Sequence, residues 1–231
     1  MRIALVTGTS RGLGRALAER LLAEGWAVHG FARGAQDLAH AAFRAHQVDV
    51  GDEAAAQAAV GEALRISGRV DLLVNNAGAA AMNALLLTPG AQAAELMRVN
   101  YLGTFHCLQA VAKAMVRQRG GAVVNLTSVA VPLALEGEAA YVASKAAVEA
   151  LTKVAAAELH PWGIRVTAVG LGPVDTDLTR AVPRERLADL NRRIGRPAGT
   201  TLAAAVDFVA QEWRGAGGAS GASRYLGACQ G

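Results

Sequence analysis

Ile3-Ala4-Leu5-Val6-Thr7-Gly8-Thr9-Ser10-Arg11-Gly12-Leu13-Gly14 is the stretch on which the fold turns. Its four leading apolar residues read as a short buried strand. Glycines at the spacing G-x-x-x-G-x-G follow, and then Leu13, Leu17 and Leu21 repeat at i, i+4 and i+8, with Arg15, Glu19 and Arg20 off that stripe. That is the period of an amphipathic helix, and Gly25 stands where its C-terminal cap belongs. Strand, glycine turn and helix together open a βαβ unit. In such a turn the glycines let the backbone close on a pyrophosphate, while the helix N-terminus offers unpaired N–H groups and a partial positive charge. A dinucleotide site is therefore expected here; a plain tight turn is the alternative.

Working outward, short β-rich runs alternate with longer Ala/Leu runs. Strands are expected at Trp26–Ala32, Gln47–Val50, Val70–Asn75, Ala122–Leu126, Gly163–Val169 and Arg224–Cys229. Helices are expected near Asp37–Ala45 and over Glu53–Ile66, Gln92–Arg117, Ala140–Leu159, Glu185–Ile194 and Leu202–Trp213. Strands that are apolar on both faces, each followed by a helix, make a parallel sheet covered on both sides. The expected fold is a single α/β domain over residues 1–231: a doubly wound, Rossmann-type parallel sheet of about seven strands. A Gly/Ala/Ser stretch at 215–223 is the one biased segment.

Composition supports this reading. Of 231 residues, 52% are apolar and 18% charged, enough to bury a sizeable core. There are 23 basic and 19 acidic residues, a net charge of +4, but the arginines are dispersed, and those between residues 180 and 196 interleave with Glu185 and Asp189, just after Asp177. A nucleic-acid partner is not expected from that pattern. Cys107 and Cys229 form neither a CxxC pair nor a metal-ligand spacing, so no metal is expected and the reducing cytoplasm is the expected location. The apolar run at Met1–Val6 is too short for a signal segment, and the uncharged stretch Leu72–Ala94 carries Asn75, Asn76, Asn83, Thr88 and Pro89, so no membrane association is expected either.

Folds of this kind usually place an acid at the end of the second strand to hold the adenosine ribose. Here the position reads Ala32-Arg33. Arg33, with Arg11 in the glycine turn, suits a 2′-phosphate, whereas an acid would repel it, so NADP is expected over NAD. Further on, Tyr141-Val142-Ala143-Ser144-Lys145 places a phenol and an ammonium one helical turn apart on one face. A free phenol has a pKa of about 10, and a nearby cation brings it toward the working range of a general acid. Only three of the 23 basic residues are lysines, which marks Lys145 as a position arginine does not fill. Ser128, with Thr127 as rival, ends the strand at the sheet edge where such folds bind ligands.

Taken together these residues resemble the short-chain dehydrogenase/reductase family over nearly the whole chain. The resemblance rests on Thr7-Gly8-x-x-x-Gly12-x-Gly14, Asp49-Val50, Asn75-Asn76-Ala77-Gly78, Asn100, Ser128 and Tyr141-x-x-x-Lys145, all in family order. It implies that Tyr141 exchanges a proton with a carbonyl or alcohol oxygen, that Ser128 positions that oxygen, that Lys145 binds the nicotinamide ribose, and that Asn100 holds a water of the proton relay. It implies further that Gly8, Ser10, Arg11, Gly12, Leu13 and Gly14 surround the phosphates, with Arg33 at the 2′-phosphate. Asp49 and Val50 would lie beside the adenine, Asn76, Ala77 and Gly78 on the ribose side, and Val174 and Thr176 at the carboxamide. Two departures stand out: Gly170-Leu171-Gly172 replaces the family's Asn-Pro-Gly, which should loosen the following loop, and the C-terminal stretch is irregular. The implied activity is NADP(H)-dependent reduction of a small-molecule carbonyl, or the reverse. A homo-oligomer (tetramer or dimer) built on the helices Gln92–Arg117 and Ala140–Leu159 is expected from the small-residue face Ala143, Ala146, Ala147 and Ala150. Asp175–Arg180 resembles 3-oxoacyl-[acyl-carrier-protein] reductases, with Arg119 expected near the cleft to meet an acidic carrier and Trp162 on the opposite rim. A non-catalytic NADP-binding sensor or scaffold is the alternative from another class.

Overall fold

Alternate residues of the first strand, β1 (Ile3–Thr7), serve opposite faces of one sheet. Ala4 and Val6 pack with Leu17 and Leu21 on one side, and Leu5 packs with Val60 and Val111 on the other. In this computed structural model, which describes residues 1–175 and 182–227, the same alternation recurs in the central strands. Leu72 and Val74 of β4 (Leu72–Asn75), like Val124 and Leu126 of β5 (Gly121–Ser128), join the first side, while Leu73 and Val123 join the second. Two apolar cores, one on each face, result. With β2 (Ala27–Ala32), β3 (Phe43–Gln47), β6 (Ile164–Leu171) and β7 (Ser223–Tyr225), the sheet has seven parallel strands in the order 3-2-1-4-5-6-7. The order reverses between β1 and β4, and a crevice opens there at the carboxyl ends of the strands.

Helices α1 (Gly12–Ala23) and α8 (Leu202–Trp213) cover the first face. Helices α2 (Glu53–Ser67), α4 (Gly103–Gln118) and α6 (Ala139–Leu159) cover the second. The ends follow local chemistry: Asp52 accepts the Ala55 N–H at 2.9 Å to start α2, and Gly68 ends it in the left-handed region. The short helices α3 (Gly90–Leu96) and α5 (Ala130–Leu133) and the ten-residue α7 (Arg184–Arg193) complete the set among the described residues. None of these helices is long and apolar enough to cross a membrane.

Two elements differ from the sequence expectation. No helix forms over Asp37–Ala45, and β3 starts at Phe43, four residues before the expected strand. Gln36 is the reason: its amide donates to the carbonyls of Gly30 and His46, and its oxygen accepts from the Thr9 hydroxyl. That pins the connection across the sheet, and pairing of Phe43 with Val28 then claims residues of good helix propensity for the ladder. The expected helix Gln92–Arg117 does form, but Met97–Leu102 is wound as a π turn between α3 and α4. Asn100, fully buried, sits in that turn; such bulges concentrate at functional sites.

Candidate active site

The crevice is a cleft of about 630 Å³ along the carboxyl edge of the sheet. One end is built by the glycine turn. Gly8 has φ +78°, and a Cβ on Gly14 would lie 2.3 Å from the Gly8 carbonyl oxygen, so helix α1 can start against the turn only with glycine there. The N-cap residue of α1 is Arg11, whose side chain makes no capping bond, and the first turn holds no acid. Unpaired N–H groups at a helix start with no competing carboxylate are the chemistry a pyrophosphate requires. Gly8, Ser10, Arg11, Gly12, Leu13 and Gly14 all line this end, and Ala32, Arg33, Asp49 and Val50 continue the wall. Asp49 is held by Arg98 at 3.0 Å and by the Gly51 N–H at 2.9 Å. Burial works to raise its pKa, but those two bonds, with the charges of Arg98 and Arg33, outweigh it and hold the carboxyl below its ordinary value.

Asn76, Ala77 and Gly78 line the middle of the cleft. Thr7, which the sequence reading left without a role beyond the motif, fixes them: its hydroxyl accepts from the N–H groups of Asn76 and Ala77 at 2.9 and 2.8 Å, and its carbonyl accepts from the Asn76 amide at 2.8 Å. Deeper still, Asn75 donates to Asn125 at 2.9 Å and Asn125 donates to Thr152 at 2.9 Å, which ties β4, β5 and α6 together through the core.

Ser128, Tyr141 and Lys145 line the far end with Val174. Ser128 ends β5 and Tyr141 and Lys145 lie one turn apart on α6. Lys145 Nζ donates to the Leu126 carbonyl at 2.9 Å, and burial pushes its pKa down to about 8. Against the expectation that Lys145 lowers it, the Tyr141 pKa is raised: removal from water raises it, a hydrogen bond with Ser128 works against that rise, and the charge of Glu138 adds to it. Asn100 stands behind the wall. Its side-chain oxygen accepts from the Ala79 N–H at 2.8 Å, and its amide donates to the Ala79 carbonyl and the Ser144 hydroxyl, each at 2.9 Å. Gly78 packs against both Asn100 Oδ1 and Lys145 Nζ. Thr176, Asp177–Arg180 and Cys229 lie outside the described residues.

The departure at Gly170 has a physical cause. A Cβ there would meet the Tyr225 ring at 2.2 Å, so β7 packs its tyrosine where a side chain would otherwise stand. The Tyr225 hydroxyl then donates to Glu149 at 2.8 Å, beside the bond from Thr127 to the same carboxylate. At the start of the next loop Val174 forms a parallel bridge with Thr200. Arg119 and Trp162 are placed differently from expectation. They stand just before β5 and β6, at the amino edge of the sheet away from the cleft, with the guanidinium 5.5 Å from the Trp162 ring centroid. Glu138, unremarked in the sequence, lines the cleft beside Tyr141; its position three residues upstream on a helix was the available signal.

Comparison with known proteins agrees with this fold. A family model described as short chain dehydrogenase matches residues 2–187. A 3-oxoacyl-[acyl-carrier-protein] reductase FabG of Staphylococcus epidermidis is 39% identical over 189 residues, covering 78% of each chain. The protein of that name from Salmonella typhimurium is 34% identical over 220 residues, covering 91% of this chain and 90% of the other. Among solved structures, Thermoplasma acidophilum aldohexose dehydrogenase superposes with a TM-score of 0.88 at 26% identity, covering 97% of this chain and 92% of that one. Levodione reductase does so with a TM-score of 0.90 at 26% identity, covering 98% and 96%.

Proposed function

The chain belongs to the short-chain dehydrogenase/reductase family, and from that premise we propose that it is an NADPH-dependent reductase of carbonyl compounds with 3-oxoacyl thioesters as its substrate class. The observation that carries the reading is the convergence of Ser128, Tyr141 and Lys145 on one cleft with the glycine turn. A nicotinamide dinucleotide, when bound, supplies the hydride for reduction or accepts it in the reverse direction. Tyr141 gives its phenolic proton to the carbonyl oxygen, and Ser128 hydrogen-bonds the same oxygen and holds it in place. The Lys145 ammonium binds the ribose hydroxyls and favours loss of the tyrosine proton by its charge. Arg11 and Arg33 take the 2′-phosphate, and Asp49 and Val50 border the adenine. Val174 meets the carboxamide; Thr176, which the resemblance pairs with it, lies outside the described residues.

The resemblance gives Asn100 a water of the proton relay. Since its side chain is committed to Ala79 and Ser144, the role we assign is positioning: it holds the wall beside Gly78 and Lys145. The thioester is supported by the relatives' names. Arg119 gives it no support, because it faces away from the cleft. The test is a panel of ketones and acyl thioesters offered with NADPH and with NADH, followed at the nicotinamide absorbance.

The proposal includes a homo-oligomer, a tetramer or a dimer, assembled on α6. The inner face of that helix buries Ser144, Val148, Thr152, Ala155 and Ala156, while Ala143, Ala147, Ala150 and Val154 form an outward stripe, with Val154 57% exposed. Small residues at that spacing allow close helix approach. Light scattering is expected to give a mass at least twice that of one chain; a single species near 23.7 kDa contradicts this assembly.

A further inference from the structure

Glu138 is the residue at which α6 begins, and its carbonyl accepts the Val142 N–H at 2.7 Å. The Glu138 side chain makes no capping bond and lines the cleft. Val129, Leu135, Leu187 and Leu190 line the same cleft, together with Ser128, Tyr141 and Lys145. Its charge is felt at the Tyr141 phenol one turn away. Burial raises the pKa of its carboxyl, and Arg186 of α7 works against that rise. Arg186 itself is exposed and lines an adjoining groove with Met82 and Leu85. The Glu138 charge therefore lies inside the cleft, beside the proton donor and in the same cleft as the Lys145 ammonium, whereas Arg186 lies in the adjoining groove.

Resting on the carbonyl-reductase reading above, we propose that Glu138 is a specificity-determining residue that bars substrates carrying a carboxylate next to the reacting carbonyl. The substrate class is then neutral around that carbon: ketones, esters and thioesters of 3-oxo acids, and not the free acids. A substrate carboxylate held near Tyr141 would face the half-buried Glu138 carboxylate in the same cleft, and like charges at close range repel. A neutral ester of the same skeleton avoids that repulsion.

The test compares ethyl acetoacetate with acetoacetate at neutral pH and saturating NADPH. In the wild type kcat/KM is expected to favour the ester. In Glu138→Gln the ester-to-acid ratio should fall by about tenfold or more, equivalent to ~1.4 kcal/mol, while Glu138→Asp should keep most of it. In the wild type alone the ratio should also shrink at high salt, where charges are screened. A Gln variant that turns over the ester with an unchanged ratio overturns the proposal. Should that variant fail to fold, a wild-type ratio indifferent to salt overturns it equally. Wild-type enzyme that reduces neither compound, nor any other neutral carbonyl, overturns the reductase reading on which the proposal rests.

Discussion

Tyr141→Phe is expected to lose at least two orders of magnitude in kcat while still binding NADPH. The substitution removes the proton and keeps the ring, so the cleft wall between Ser128 and Lys145 should stand. General acid catalysis contributes on the order of 10²–10⁴ in rate, and no neighbouring group replaces the phenol: Lys145 is turned to the Leu126 carbonyl and Ser128 also binds the Ala130 N–H. A Phe variant with more than a tenth of the wild-type kcat would remove Tyr141 from the mechanism. The wild-type enzyme should show the matching pH dependence. Burial lowers the Lys145 pKa to about 8, so the ammonium is present below that pH and is lost as pH rises through it. The negative charge of a bound dinucleotide moves the loss to higher pH. Reduction should accordingly decline on the alkaline side, beginning no lower than about pH 8.

The second large effect concerns the choice of dinucleotide. Ala32, Arg33 and Arg11 line the same end of the cleft, with no carboxylate at the position that would hold a ribose diol. Asp49, the nearest acid on that wall, is already paired with Arg98. A charge-assisted hydrogen bond is worth ~1.5–3 kcal/mol, and each ~1.4 kcal/mol is tenfold in affinity. The expected kcat/KM is therefore about tenfold or more higher for NADPH than for NADH. Arg33→Ala should narrow that ratio by weakening NADPH, and Ala32→Asp should reverse it by repelling the phosphate. Equal efficiency with both dinucleotides in the wild type would show that neither arginine reaches a 2′-phosphate.

How much of this was legible in the sequence depends on the reach of each interaction. The glycine turn, the Leu13–Leu17–Leu21 stripe and the Tyr141–Lys145 spacing are local, and local spacing fixes which side chains share a face. The doubly wound parallel sheet followed from alternation alone, because strands apolar on both faces require cover on both sides. What stayed hidden depends on distant partners. Gln36 bonds to Gly30, His46 and Thr9, and so replaces an expected helix with an open connection. Gly170 looked like a weakened motif until Tyr225, 55 positions away, was seen to fill its space. The π turn around Asn100 has no period of its own to betray it. Arg119 and Trp162 could have been placed correctly from chain direction, since residues that precede a parallel strand lie at the edge opposite the ligand cleft.

Single-turnover reduction tests the central claim most directly. Enzyme loaded with NADPH is mixed with a 3-oxoacyl thioester or another neutral ketone, and the nicotinamide absorbance and the product are followed together. The account predicts loss of the absorbance with one alcohol formed per NADPH consumed, and no such loss in Tyr141→Phe. NADPH that binds tightly but is consumed with no member of the carbonyl panel would contradict it, and would leave a cleft that binds the dinucleotide without chemistry.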